Sequence, residues 1–106
     1  MEDPSRSNIY SELLKFLEAF GRQLDRQGGV ERGLAPTTAL EFVGMLNELQ
    51  APIHGFEVWR QNGDRYTLNH SEIWYPDPAY GDPYQDALAT LKRLALDSHD
   101  LVFIQF

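Results

Sequence analysis

The stretch GFEVWRQNGDRYTLN, residues 55–69, decides the fold because it predicts a β-hairpin. Two apolar residues, Phe56 and Val58, alternate with residues that would lie on the opposite face, which is the period of a half-buried strand. The dipeptide Asn62-Gly63 that follows is typical of the turn between two hairpin strands.

Two registers are open to this hairpin. A two-residue turn would place Val58 opposite Thr67 and Phe56 opposite Asn69, which mixes apolar and polar side chains on one face. A three-residue turn over 61–63, with its glycine left-handed, keeps the two faces distinct. We therefore expect these pairs: Phe56 with Leu68, Val58 with Tyr66, Glu57 with Thr67, and Trp59 with Arg65.

The segments after the hairpin predict a strand, a helix and a final strand. Residues 72–75, EIWY, predict a third strand, which two prolines then halt. Asp82 is a suitable N-cap for a third helix, and Pro83 fits its first position, where an N–H would have no helical partner. Residues 101–106 are almost all apolar and predict a strand inside the sheet. The buried side of the third helix is expected to carry Leu88, Leu91, Leu94 and Ala95.

Two amphipathic helices are predicted before the hairpin. The first has Ser7 as its N-cap and ends at the glycine pair that begins with Gly28. The second begins with a capping box, Thr38 and Glu41, and ends before Pro52. A short loop would join them into a helical hairpin. The apolar side chains expected to be buried are Ile9, Tyr10, Leu13, Leu14, Phe16, Leu17, Phe20 and Leu24 on the first helix, and Leu40, Val43, Leu46 and Leu49 on the second.

The element order, ααβββαβ, predicts the fold class. It indicates one α+β domain over 1–106, with a small, mostly antiparallel four-stranded sheet and three helices packed mainly on one face. A chain of 106 residues has a common size for a single domain and can bury one core.

Composition restricts the classes of function. The chain carries a formal net charge of -7, so its surface repels phosphate backbones and attracts basic partners. It has no cysteine, which excludes disulfides and thiolate chemistry. Its apolar runs are too short for a membrane span, and residues 1–5 lack the pattern of a secretory signal. We expect a cytoplasmic protein that binds neither nucleic acid nor membrane.

The sequence contains no recognisable catalytic motif. Residues 98–100, SHD, have the residue types of a hydrolase triad, but sequence neighbours rarely form its chain of hydrogen bonds, so a helix stop and turn is favoured. His70 and Glu72 would share a strand face near His54, but too few donors converge for a metal site. We expect no enzyme activity, cofactor or metal. Carboxylates that converge in a cleft are the enzymatic alternative.

Residues 72–86, the acidic aromatic segment, combine carboxylates with aromatic rings and contain no lysine or arginine. Rings supply contact area and carboxylates steer a basic partner, so this mixture is typical of a protein interface. Trp59 is a second candidate, because the expected register places it opposite Arg65, where a cation can stack on the ring. The alternative is that the rings cap the core and the aspartates complement a helix dipole. The residues predicted to contact a partner are Glu57, Trp59, Glu72, Trp74, Tyr75, Asp77, Tyr80 and Asp82.

The chain resembles the immunity proteins of bacterial polymorphic-toxin systems, which are small, acidic, cysteine-free cytosolic domains that bind and block a cognate toxin. The likeness lies in size, charge and α+β organisation, and in residues 55–59 (GFEVW), 73–76 (IWYP) and the helix opened by Asp82-Pro83. It implies a basic toxin domain as the partner, and it carries over no residue role. A second hypothesis is an acidic chaperone or adaptor for a secreted or regulatory protein, dimeric through an exposed strand or the Trp59 face.

Overall fold

The computed structural model describes residues 4–24, 32–63 and 65–106, and it confirms an α+β fold with three helices and an antiparallel sheet. Within these ranges, none of the helices combines the length and the apolar character needed to cross a bilayer. The elements are α1 (Pro4–Phe20), β1 (Arg22–Gln23), β2 (Arg32–Gly33), α2 (Pro36–Glu48), β3 (Gly55–Asn62), β4 (Arg65–Trp74), a 3-10 turn (Pro78–Tyr80), α3 (Pro83–Arg93) and β5 (Asp100–Gln105).

The sheet has the strand order β4-β3-β5, and both pairings are antiparallel. Beyond β5, Leu34 and Val102 exchange two backbone hydrogen bonds of 2.8 and 2.7 Å, which attaches the β1–β2 ribbon to the sheet. The segment that ends at Leu34 therefore takes the fourth place in the sheet. The separate third strand predicted over 72–75 is wrong, because residues 72–74 are the last part of β4, which ends at Trp74. The last strand lies inside the sheet, as expected.

The predicted hairpin register is wrong. Asn62 pairs with Arg65, so the connection between the two strands is shorter than the predicted three-residue turn over 61–63. Residues 70–72 then form an irregularity in β4, after which the register shifts. Because three is an odd number, the side chains that follow the extra residues point to the opposite face of the sheet from the one that unbroken alternation would give. The observed pairs are Phe56 with Trp74, Glu57 with Ile73, Val58 with Asn69, and Trp59 with Leu68.

The start of α3 confirms the predicted cap. Asp82 Oδ1 accepts hydrogen bonds from the backbone N–H groups of Tyr84 and Gln85, at 3.0 and 3.2 Å. Pro83 occupies the first helical position. This cap forms within four consecutive residues, which is why the sequence alone specifies it.

The predicted start and end of α1 and the predicted start of α2 are wrong, whereas α2 ends before Pro52 as expected. Helix α1 begins at Pro4, which places Ser7 inside it, and ends at Phe20. Helix α2 begins at Pro36 with Ala35 as an N-cap that forms no side-chain hydrogen bond, so the capping box at Thr38 does not form. Proline is pre-organised for the first helical position and starts the helix two residues earlier. Strands β1 and β2 lie between the helices in place of a plain loop, and Gly28-Gly29 lies outside the described residues.

The core lies between the three helices and one face of the sheet. Phe42, which was not among the side chains predicted to be buried on α2, is fully buried. Its ring centroid lies 5.6 Å from that of Phe16 and 5.3 Å from that of Phe106. Leu14 and Phe20 were expected in this core, but each is 59% exposed. The central core residues are Leu13, Leu34, Ala39, Phe42, Val43, Leu46, Phe56, Val58, Trp74, Ala87, Leu91, Val102 and Ile104.

Candidate functional site

Trp74 belongs to the core, so its prediction as a partner contact is wrong. The side chain is 8% exposed and its ring stacks on Phe56 at 5.3 Å. Its indole Nε1 donates a hydrogen bond of 3.1 Å to Asp86 Oδ2. The face exchange at 70–72 turns Trp74 inward, and little of the ring remains for a partner.

The remainder of the acidic aromatic segment includes an exposed turn, residues 75–82, which we call the acidic turn. Tyr75 is 63% and Tyr80 59% exposed. Asp77 caps the 3-10 turn by accepting the backbone N–H of Ala79 at 2.9 Å. Asp77 and Asp82 are both exposed and hold local backbone structure, so their carboxylates are fixed on the surface. Glu72 is half-buried at the other end of the segment.

The second face of the sheet carries the other predicted contact residues. Side chains alternate across β3, so Glu57 and Trp59 lie opposite the face of Phe56 and Val58. Trp59 thus turns away from the core face as predicted, but it lies beside Leu68 and not Arg65. Because the connection is shorter than predicted, Arg65 is the first residue of β4 and pairs with Asn62. We call this surface the open face, defined by Glu57, Trp59, Leu68, Ile73, Leu101 and Phe103.

The open face is separate from the main core. Glu57 lies between Ile73 on β4 and Phe103 on β5, and Trp59 lies between Leu68 and Leu101. The apolar members of the open face belong neither to the core cluster nor to the partly buried side chains packed on it. All except Leu101 are half-buried, so an apolar surface remains partly accessible.

Leu24 covers the open face at Leu101 on β5. A Cβ added at Gly33 would lie 2.8 Å from both Leu101 Cβ and Leu24 Cδ2. The glycine therefore makes room for Leu24 over Leu101, and both leucines are buried. The accessible part of the open face is the part away from Leu101, where the other members are half-buried.

Tyr75 connects the open face with the acidic turn. Gly55 shares its strand face with Glu57, and a Cβ added there would lie 2.9 Å from Tyr75 Cδ1. The Tyr75 ring therefore lies over the first residue of β3. The open face and the acidic turn form one continuous surface, which we call the contact surface.

Two polar groups on the open face have no partner among the described residues. Glu57 forms no ion pair or hydrogen bond within this part of the chain. The indole Nε1 of Trp59 is covered and makes no hydrogen bond there. A half-buried carboxylate beside apolar side chains keeps only part of its hydration.

Residues 98–100, which have the residue types of a triad but were expected to form a turn, serve a structural role. Asp100 is 4% exposed, and its two oxygens accept from Arg60 Nη1 at 3.1 Å and from the Asp97 backbone N–H at 2.9 Å. The His99 N–H donates to Asp97 at 2.8 Å, and this bond, followed by the charge of Arg60, lowers the pKa of the Asp97 carboxyl. These contacts fix the turn before β5.

The described residues contain no group of three His, Asp or Glu side chains that could hold a metal ion. Asp77 and Asp82 act as caps, and Asp86 accepts from Trp74. An apolar groove of about 190 Å³ lies between α2 and α3, and its only ionisable lining residue is Lys92. This groove does not combine two carboxylates for acid and base chemistry.

Comparisons with protein-family models, with curated proteins and with solved structures give no match for this chain. The function proposed for the chain therefore rests on its contact surface. Sequence patterning identified Trp59, Glu57 and the acidic turn, but it missed Leu68, Ile73 and Phe103. Alternation within the last strand was the available signal for Phe103, because residues two apart share a face.

Proposed function

We propose that this chain is a cytoplasmic protein-binding domain that neutralises a basic protein, namely a cognate toxin, by direct contact. The observation that supports the proposal most is the contact surface, where two exposed tyrosines and two fixed carboxylates adjoin an apolar sheet face. Tyrosine gives contact area at low entropic cost, and ordered carboxylates pair with cations without further ordering.

Charge supports a basic partner. The net charge of -7 attracts a cationic protein over a long range, and Asp77 and Asp82 then lie where that protein would meet Tyr75 and Tyr80. A toxin that acts on a phosphate-bearing substrate has a basic active site, which an acidic surface complements. The resemblance to immunity proteins agrees with this assignment.

A test must separate charge from folding, because Asp77 and Asp82 cap turns. Lysine would remove both the charge and the cap, whereas Asp→Asn removes the charge and keeps an accepting oxygen. The experiment immobilises wild type, the D77N/D82N variant and a control E41Q/E48Q variant, and identifies proteins captured from the source organism. Glu41 and Glu48 are exposed on α2, so the control loses the same charge elsewhere.

The proposal predicts a basic protein that wild type and the control retain and that D77N/D82N binds at least about fivefold more weakly. The purified partner should lose its activity on binding wild type. Equal retention by all three baits, or an acidic captured protein, would contradict the proposal.

The chaperone or adaptor function is supported by a different observation, the half-exposed apolar side chains of the open face. This hypothesis predicts a dimer joined through an exposed strand or through the Trp59 face. Light scattering after size exclusion measures the molar mass and so separates the two hypotheses. The neutralising domain is expected to be a monomer that binds one partner, whereas the chaperone or adaptor is expected to be a dimer.

A further inference from the structure

A half-buried acid at the centre of the open face has no cation to pair with among the described residues. Glu57 has Ile73 on one side and Phe103 on the other, and both are apolar. Its own strand supplies Trp59 two residues further on, about 7 Å away along the same face. Glu57 is thus half-buried beside apolar neighbours, and the residues that define the open face supply no positive charge.

We propose that this position, the Glu57 site, binds a lysine or arginine side chain of a protein partner. The cationic head pairs with Glu57, and the aliphatic stem packs on Ile73 and Phe103. The Trp59 ring is within stacking range of the same cation. This inference rests on the proposed function, since it names the contact that a basic partner makes on the open face.

Charge favours a basic partner over a second copy of this chain. In a symmetric pair formed through the open face, Glu57 of one copy would enter a surface whose defining residues include no cation. Two half-buried carboxylates would then be brought together without compensation, which is unfavourable. A basic partner supplies the missing charge and covers the same apolar side chains.

The site also distinguishes cations from anions. A carboxylate flanked by apolar and aromatic side chains repels acidic peptides and phosphate groups. An uncharged apolar partner would cover Glu57 and leave its charge unpaired, at a cost in affinity. The chemistry of the Glu57 site therefore specifies an amphipathic side chain with a positive end.

The test uses two blocked nine-residue peptides and NMR detection of the tryptophan indole N–H signals. The basic peptide alternates arginine with serine and valine, and the acidic peptide has glutamate in place of arginine. Trp59 reports on the open face, and Trp74 is an internal reference because its indole is bonded to Asp86 in the core. W59F assigns the two signals.

The basic peptide should shift the Trp59 signal with saturation and leave Trp74 unchanged. E57Q should weaken this binding by about fivefold, whereas E48Q, which removes an exposed acid on α2, should leave it unchanged. Equal shifts with the acidic peptide, an unchanged affinity in E57Q, or no Trp59 shift at millimolar basic peptide would overturn the Glu57 site. A Trp59 shift that depends on protein concentration without peptide would assign the face to a second copy and also overturn it.

The peptide titration contains no natural partner. A titration without binding would therefore refute the Glu57 site. The role of the acidic turn would still be decided by the comparison of the three baits. Conversely, a Glu57-dependent peptide affinity together with unchanged partner binding by D77N/D82N would retain the site and refute the acidic turn.

Discussion

Replacing Trp74 with phenylalanine should destabilise the domain far more than the same replacement at Trp59. Both substitutions remove the same atoms, so the difference measures what each indole contacts. Trp74 loses a hydrogen bond to the carboxylate of Asp86 and part of its stack on Phe56. Trp59 is half-buried, and its indole nitrogen has no partner among the described residues to lose.

The magnitude follows from these contacts. A hydrogen bond to a charged acceptor contributes about 1.5–3 kcal/mol, and the smaller buried ring costs about 1 kcal/mol more. We expect W74F to lower the free energy of unfolding by about 2.5–4 kcal/mol, and W59F by less than about 1 kcal/mol. For a chain of this size, the first loss lowers Tm by about 10–20 °C.

The assay is urea unfolding followed by far-ultraviolet circular dichroism, which does not depend on tryptophan fluorescence. A double-mutant cycle with W74F and D86A should give a coupling free energy of about 1.5–3 kcal/mol. Equal losses in W74F and W59F, or a coupling near zero, would refute the assignment of Trp74 to the core and Trp59 to the open face.

Three further predictions concern caps, packing and pH. D82A should lower the free energy of unfolding by about 1 kcal/mol and D82N by less, because asparagine still caps α3; urea midpoints that fall equally would contradict this. G33A should lower the free energy of unfolding by about 1–3 kcal/mol, because its Cβ would lie 2.8 Å from two packed leucines. G44A, with open space around it on α2, should raise the free energy of unfolding by about 0.5–1 kcal/mol. A backbone hydrogen bond, and then the charge of Arg60, lower the folded-state pKa of Asp97 below its ordinary value of 3.8. The ionised carboxylate therefore stabilises the folded state above that pH, and this contribution is lost as the pH falls through the lowered pKa. Urea midpoints of wild type and D97N should therefore differ by a constant amount from neutral pH down to about pH 4 and converge in stronger acid.

The sequence predicted features that are determined by neighbouring residues. The Asp82-Pro83 cap needs only the backbone of the next three residues, and it forms as expected. The alternation that turns Trp59 away from Phe56 is also local, because successive side chains of a strand point to opposite faces.

The register of the hairpin was not predictable in this way. Both candidate registers assumed continuous strands, whereas β4 inserts residues 70–72 before Ile73. The insertion lets Trp74 stack on Phe56 in the core, which is a tertiary contact between residues 18 positions apart. A turn sequence does not report that contact, so the strand over 72–75 was assigned as a separate element.

The candidate site depends on the same tertiary information. The open face combines residues from β3, β4 and β5, and its membership follows from the strand order and from the face exchange in β4. The acidic turn was predicted because its residues are contiguous. Its connection to the open face through Tyr75 required the packing of that ring against Gly55.

The most direct test of the contact surface is site-specific photo-crosslinking in cells of the source organism. Benzoylphenylalanine replaces Tyr75 or Tyr80 on the acidic turn, or Leu14 on α1, which is 59% exposed and serves as the control. Our account predicts that both turn positions crosslink to one basic protein and that Leu14 does not. Crosslinks from Leu14 alone, equal crosslinks from all three positions, or an absence of crosslinks from the turn would contradict it.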